Sequence, residues 1–286
     1  MRTENYHGRM PNKVVSLARS THPGPSIAVS VVVVVLGIGV GLEPWRLVVL
    51  GLAFLLGQAS VGLSNDWIDA DCDRAVGRTD KPVALGQIDV RTVRTAAFVA
   101  AALAIALTLP LGLLATIAHA VFIAAGWAYN AGLKGTPASV LPYIVGFGLL
   151  PMIVTLARPE PAIAAPWAIG LGALLGVAAH FANVLPDLDD DARTGIRGLP
   201  HRLGRRASGV VISLSLAVGA LLAFFGPSGD KTALQWIGLA LTLPLVVGIA
   251  FVLRRPPTRL LFQLIIVAAL VNVLLLVFSG GRILLR

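Results

Sequence analysis

The sequence contains few cysteines, few charges and few aromatic residues. Cys72 is the only cysteine in 286 residues, so an intrachain disulfide is excluded, and no cluster of histidine or cysteine points to zinc or iron. Charged residues make up 13% of the chain and aromatic residues 6%, whereas ordinary soluble domains carry about 25% charged residues. The composition therefore excludes an ordinary soluble domain.

Apolar residues dominate the chain: they make up 56% of it, and its mean hydropathy is +0.84. Apolar stretches of roughly 17 to 22 residues, the length that a bilayer requires of a helix, recur between Ser26 and Gly280. Residues 1–25 are polar and basic, and no small-residue cleavage site follows the next apolar run. We expect an integral membrane protein with a cytoplasmic tail at 1–25 and a single transmembrane domain at 26–286.

The pattern predicts an all-α protein with nine transmembrane helices around a central cavity. The third and fourth predicted helices meet at Leu109-Pro110-Leu111-Gly112. The predicted spans are 26–42, 47–64, 95–110, 112–128, 139–156, 166–184, 207–226, 233–253 and 260–280.

The positive charge indicates the orientation of these spans. With the N-terminus inside the cell, 18 of the Lys and Arg residues fall on inside segments and 5 on outside segments, as the positive-inside rule requires. The net charge of +9 is thus mainly a topology signal. Nucleic-acid binding is the rival interpretation, but the charge is divided among short loops between the spans, which disfavours it.

The acidic residues are concentrated in two places. Eight of the fourteen Asp and Glu residues lie in two clusters, which are Asp66, Asp69, Asp71 and Asp73, and Asp187, Asp189, Asp190 and Asp191. Asn65, Asp69 and Asp73 recur at every fourth residue, so a continuous helix would direct them to one side. Asn183, Asp187 and Asp191 repeat this spacing.

Each cluster closes an apolar run, and the two runs are four spans apart, so both clusters are expected at the cytoplasmic face. This arrangement favours a parallel duplication of two four-helix repeats plus one helix. Inverted repeats would place the second cluster at the opposite face.

Carboxylate and amide oxygens without His or Cys suit Mg²⁺, which completes its shell with water and substrate phosphates. Two such sets facing each other could hold Mg²⁺ and a diphosphate. The alternative is a pair of solvated loops, which the repeated spacing disfavours.

Gln58 lies seven residues before Asn65 and would face the same cavity on a regular helix. Basic residues near the acids fit a phosphate clamp: Arg78, Lys81, Lys134, Arg193 and Arg197.

Two longer patterns contain these clusters. The first is Asn65-Asp66-x-x-Asp69-x-x-x-Asp73, followed by Arg78-Thr79-Asp80-Lys81-Pro82 and Gly86. The second is Asn183-x-x-Pro186-Asp187-x-x-x-Asp191-x-x-x-Gly195. Together they resemble the two aspartate-rich motifs of the UbiA superfamily of intramembrane prenyltransferases, and the number of spans and the side of both motifs agree with that family.

The resemblance implies Mg²⁺-dependent transfer of a polyprenyl group from its diphosphate, through an allylic carbocation, to a lipophilic acceptor such as an aromatic compound. It implies metal binding by Asn65, Asp66, Asp69, Asp73, Asp187 and Asp191, with Asp69, Asp187 and Asp191 as the catalytic residues. Asn183 is expected beside the second set. Arg78 and Lys81 match basic positions of the family and would contact phosphate, and Tyr129 and Lys134 resemble its Tyr and Lys pair, although the spacing here is one residue longer. Substrate contact is thus predicted for Gln58, Arg78, Lys81, Tyr129, Lys134, Asn183 and Arg197.

Two other functions stay open from the sequence. A UbiA-type terpene cyclase would use the same motifs without an acceptor, the cation closing on its own chain. A cation transporter would line a pathway with acids near mid-span, whereas these acids cluster at one face. His119 and His180 lie within predicted spans, where packing is the favoured role for each. The Thr21-His22-Pro23 segment before the first span matches the family only weakly.

Overall fold

The structure is a computed structural model that describes residues 12–186, 188, 195, 197–252 and 259–285. Within these ranges the chain is helical, and its only β-type pairing is an isolated antiparallel bridge between Ala164 and Leu284. The prediction of an all-helical protein is confirmed.

Eleven α-helices are described, and short 3₁₀ turns follow α5, α6 and α11. The helices are α1 (Lys13–Ser20), α2 (Pro23–Gly39), α3 (Pro44–Ile68), α4 (Ala70–Ala75), α5 (Val90–Thr108), α6 (Leu113–Asn130), α7 (Leu141–Leu156), α8 (Pro166–Val184), α9 (Leu199–Phe225), α10 (Ala233–Val252) and α11 (Arg259–Phe278).

Length and composition make several of these helices able to cross a membrane. Within the described residues five qualify, namely α3, α5 with its 3₁₀ extension, α6, α8 and α9, and a sixth is reached if α1 and α2 form one span bent by 57°. Helix α7 and the apolar parts of α10 and α11 are shorter. The chain is thus an integral membrane protein with five or six candidate spans among its described residues, and the number of nine stays a prediction.

Proline and glycine explain several helix ends. Proline occupies the first turn of α2, α3 and α8, where its missing N–H costs no hydrogen bond. Gly112, at φ 124°, separates α5 and its 3₁₀ turn from α6, in agreement with the predicted boundary.

Two helical segments extend beyond the predicted spans into polar sequence. Helix α9 begins at Leu199, not at residue 207, and its first turns are basic and bend at Gly204, where φ is 75°. Helix α1 and the start of α2 lie in the segment predicted as a tail. Apolar run length does not detect such partly polar turns.

The helices contact one another in a closed succession. Helix α3 packs against α2, α5 and α6; α7 packs against α6 and α8; α9 packs against α8 and α10; and α11 returns to α2 and α8. A continuous apolar core follows this succession and includes Phe54 of α3 and Phe181 of α8. The C-terminal ends of α3, α6 and α8 and the N-terminal end of α7 are thereby brought together.

Glycine allows α7 and α8 to approach closely. A Cβ added at Gly176 would lie 2.3 Å from the carbonyl oxygen of Tyr143, and one added at Gly172 would lie 2.5 Å from that of Phe147. These contacts involve backbone atoms, which cannot rotate away, as is common where small residues line membrane helix interfaces.

We predict that Gly176→Ala separates α7 from α8 and destabilises the protein by about 1–3 kcal/mol, the typical cost of overpacking. The thermal unfolding midpoint of the purified protein in detergent would measure the effect. Gly281→Ala is the matched control because no atom lies within 4 Å of a Cβ added there. Equal midpoints for the two variants would contradict the close packing.

Candidate active site

The first acidic motif spans a break between two helices. Asn65 and Asp66 belong to the last turns of α3, Asp69 lies at the break, and Asp73 belongs to α4. Backbone bonds from Asp69 N–H to Asn65 oxygen (3.0 Å) and from Asp73 N–H to Asp69 oxygen (2.8 Å) keep the four-residue spacing across it. The common direction of these side chains was predicted on condition that the helix continued, and the i,i+4 backbone bonds continue although the helix is divided at Asp69.

Asn65 and Asp69 form one half of the site. The amide nitrogen of Asn65 donates to Oδ2 of Asp69 at 2.8 Å. Lys134, in the 3₁₀ turn after α6, donates to both carboxylate oxygens of Asp69. A side chain 65 residues away in sequence therefore meets the motif, as predicted for a basic residue near the acids.

Asp66 and Lys81 form the other half, and this pair is buried. Only 1% of the Asp66 side chain and 10% of the Lys81 side chain are exposed. Lys81 Nζ donates to Oδ1 of Asp66 at 2.5 Å and to Oδ1 of Asn65 at 2.9 Å. Removal of one partner from a buried ion pair costs about 3–5 kcal/mol, so each of these two groups needs another partner whenever the pair separates.

The loop that carries Lys81 is itself anchored. Val83 and Ile88 are buried and pack with Leu63 of α3 and Val93 of α5. Gly86 adopts φ 69°, a left-handed conformation that glycine adopts without strain, and it closes the turn begun at Lys81. Lys81 thus reaches the motif from a packed segment.

His22 is a third contact of this pair. Its Nε2 lies 2.9 Å from Oδ1 of Asp66 and 3.0 Å from Nζ of Lys81. At φ 51° and ψ 64°, His22 is the only non-glycine residue in the described part of the chain with a positive φ. This conformation costs roughly 1–2 kcal/mol and persists only where the surroundings impose it.

The pKa values of two carboxyl groups in and near the first motif are shifted from their ordinary values. Burial, the main cause, together with the neighbouring carboxylates of Asp69 and Asp66, raises the pKa of Asp73 above its ordinary value, although Lys81 and Arg78 oppose the shift. By contrast, hydrogen bonds from Arg78 lower the pKa of the Asp80 carboxyl to about 2. The guanidinium donates to both Asp80 oxygens at 2.9 Å.

A second polar cluster joins the ends of α6, α7 and α8. The buried Tyr143 hydroxyl is hydrogen-bonded to the side chains of Tyr129 and Asn183. The hydroxyl of Ser139 lies 3.0 Å from Nε2 of His180 and accepts the backbone N–H of Leu199 at 2.9 Å. Tyr129 and Asn183 are thereby brought together. Asp187 and Asp191 lie outside the described residues.

Other predicted residues are placed differently. Arg197 is exposed, and its carbonyl accepts a hydrogen bond from Arg202 at 3.0 Å. Gln58 is half-buried on α3, whose helix continues regularly to Asn65. Arg78 pairs with Asp80 and contributes to the field at Asp73. Tyr143 and Ser139 were missed, because neither lies in an acidic or basic pattern.

Oxygen atoms of this site suit a hard cation. Oδ2 of Asp66 is buried and has no hydrogen-bond partner among the described residues, and Asn65, Asp69 and Asp73 offer only oxygen ligands beside it. In the described ranges no three His, Cys, Asp or Glu side chains converge closely enough to hold a metal ion. Further oxygens, from the second motif or a ligand, would have to complete a metal shell.

Comparison with characterised proteins agrees with this architecture. The chain is 28% identical to the digeranylgeranylglyceryl phosphate synthase of Natronomonas pharaonis over 73% of this chain and 74% of that protein. It is 29% identical to the 4-hydroxybenzoate octaprenyltransferase of Ralstonia nicotianae over 68% of each protein.

Solved structures show the same fold. The structure of a UbiA homologue from Archaeoglobus fulgidus bound to GPP and Mg²⁺ aligns with a TM-score of 0.71 at 15% identity, over 94% of this chain and 99% of that one. An apo UbiA homologue from Aeropyrum pernix aligns with a TM-score of 0.66 at 16% identity, over 95% and 98%. The model of the UbiA prenyltransferase family matches residues 26–265. The chain therefore belongs to the UbiA prenyltransferase family.

Proposed function

We propose that this enzyme transfers a polyprenyl group from a prenyl diphosphate to an aromatic or other lipophilic acceptor within the membrane, with Mg²⁺ as cofactor. The observation that carries the proposal is the convergence of Lys81 and Lys134 on Asn65, Asp66 and Asp69. These lysines come from separate loops, and ammonium groups held beside oxygen ligands suit a metal-bound diphosphate.

Each residue has a proposed role. Asn65, Asp66, Asp69 and Asp73 of the first motif, and Asp187 and Asp191 of the second, would hold Mg²⁺, and Asp69, Asp187 and Asp191 would be the catalytic residues. Mg²⁺, when bound, would neutralise the negative charge that develops on the departing diphosphate. Lys81 and Lys134 would contact phosphate oxygens, and Arg78, Arg197 and Asn183 are proposed as further contacts.

In the proposed reaction the bond between C1 of the prenyl chain and the diphosphate oxygen breaks, and its electron pair leaves with the diphosphate. C1 then bonds to a nucleophilic atom of the acceptor, which loses a proton. Tyr129 and Gln58 are proposed to line the cavity that holds the chain. Apolar helices would exclude water, which would otherwise capture the cation.

The relatives support the substrate classes. One compared enzyme is named for digeranylgeranylglyceryl phosphate and the other for 4-hydroxybenzoate and an octaprenyl group. One compared structure is bound to GPP and Mg²⁺. The distribution of Lys and Arg supports an N-terminus and a site at the cytoplasmic face of the cell membrane. The lengths of the apolar runs support nine spans in one transmembrane domain at 26–286. Membrane lipids are the expected surroundings, and no nucleic acid is expected as a partner.

A screen of acceptors and prenyl diphosphates tests the proposal. Purified protein, Mg²⁺ and labelled prenyl diphosphates of several lengths should give an acceptor-dependent product with one added prenyl group, read by mass spectrometry. A cyclic hydrocarbon formed without acceptor would instead support the terpene cyclase. Absence of both products, together with intact diphosphate, would contradict the proposal.

A further inference from the structure

The contact between His22, Asp66 and Lys81 has a feature that the proposed function leaves unused. Nε2 of His22 lies within hydrogen-bonding distance of a carboxylate oxygen, 2.9 Å away, and of an ammonium nitrogen, 3.0 Å away. An imidazole nitrogen donates when it carries a proton and accepts when it does not. Nε2 can therefore satisfy only one of these two partners at a time.

We propose that His22 is a positioning residue that takes over the buried Asp66 carboxylate when Lys81 moves to the diphosphate. This inference rests on the proposed function, in which Lys81 contacts phosphate. Oδ1 of Asp66 accepts from Lys81, and the side chain is almost completely buried. Departure of Lys81 would leave Oδ1 without a donor, even where Oδ2 holds the metal, and a buried polar atom without a partner is costly. His22, with its proton on Nε2, supplies that donor.

The surrounding chain holds His22 in this place. A Cβ added at Gly62, one helical turn before Asp66, would lie 2.4 Å from the carbonyl oxygen of Thr21 and 3.2 Å from the His22 ring. The absence of a side chain at Gly62 thus lets the bend between α1 and α2 contact α3. Left-handed backbone at His22 then directs the ring to Asp66. His22, Asp66 and Lys81 line a cavity of about 310 Å³ together with Arg19.

Two substitutions at His22 separate the role of the ring from that of the backbone. His22→Gly removes the ring and tolerates the left-handed backbone. His22→Gln keeps a donor at the distance of Nε2. The affinity for inorganic pyrophosphate in the presence of Mg²⁺ is measured by calorimetry on the full chain in detergent. This affinity reports the proposed contact of Lys81 with phosphate oxygens independently of catalysis.

We expect His22→Gly to weaken pyrophosphate binding about tenfold, the effect of losing one hydrogen bond to a charged group, and His22→Gln to restore most of the affinity. In the Lys81→Ala background, His22→Gly should add no further loss, because no lysine then leaves Asp66. Arg74→Gln is the control for loss of a cation, since Arg74 pairs with exposed Asp71 outside this contact. Thermal unfolding midpoints would verify that each variant is folded.

Three outcomes would overturn the inference. Equal losses from His22→Gly in both backgrounds would mean that His22 acts independently of Lys81. Unchanged affinity in His22→Gly, with a loss in Lys81→Ala, would refute the positioning role of His22 and support the phosphate contact of Lys81. Unchanged affinity in Lys81→Ala would show that Lys81 does not contact phosphate, and would contradict the proposed function at this residue.

Discussion

Asp69→Asn should lower prenyl transfer by at least about a hundredfold while the protein stays folded and inserted in the membrane. Both Asp69 oxygens accept from Lys134, and one also accepts from Asn65. An asparagine has nearly the same shape but lacks the charge that attracts a divalent cation and holds the lysine. The rate of acceptor-dependent product formation, followed by mass spectrometry, measures the loss.

The same motif supplies the matched control. The Asp71 side chain is 98% exposed and pairs only with Arg74 in the described part of the chain, so Asp71→Asn should change the rate by less than about twofold. Asp187→Asn should match the loss of Asp69→Asn if the second motif completes the site. Normal turnover in both Asp69→Asn and Asp187→Asn would exclude a shared metal site.

Most of the helical framework could be predicted because the bilayer imposes a simple rule on sequence. A span requires a long apolar run, and each predicted span overlaps a helix of the structure. The break at Asp69 and the early start of α9 could not be found in this way. The residues concerned are polar, and both helices extend past the apolar run that identifies them.

The acidic half of the site was more predictable than its contacts. Helical spacing places Asn65, Asp69 and Asp73 together, and the structure preserves that spacing across the break. Which cation meets which acid depends on how distant loops fold. Lys134 is 65 residues from Asp69 in sequence and His22 is 44 residues from Asp66. No local pattern relates either pair.

Arg78 and Lys81 show that charge alone does not predict the direction of a basic side chain. The guanidinium of Arg78 forms a two-bond pair with Asp80, two residues away, and its contact with phosphate stays a prediction. Lys81, three residues after Arg78, turns inward because Val83 and Ile88 anchor the loop in a small core. Packing of apolar neighbours, not charge, therefore decides which basic side chain is directed to Asp66.

Removal of divalent cations should abolish the activity, and added Mg²⁺ should restore it. A chelator such as EDTA at millimolar excess is expected to stop product formation, because the oxygen-only donors of the first motif suit a hard cation. Buried Oδ2 of Asp66 has no partner in the described ranges and is available to such a cation. Product formation before chelation, after chelation and after addition of Mg²⁺ measures the effect.

A second readout separates metal binding from loss of fold. Mg²⁺ with inorganic pyrophosphate should raise the thermal unfolding midpoint of the wild-type protein, since a ligand that binds only the folded state stabilises it, and Asp69→Asn should reduce this rise. Ca²⁺ should restore less activity than Mg²⁺, because it is larger and takes more ligands. Product formation that continues unchanged after addition of the chelator would mean that Lys81 and Lys134 alone neutralise the leaving diphosphate. The spacing of Asn65, Asp69 and Asp73 would then serve only to hold those two lysines.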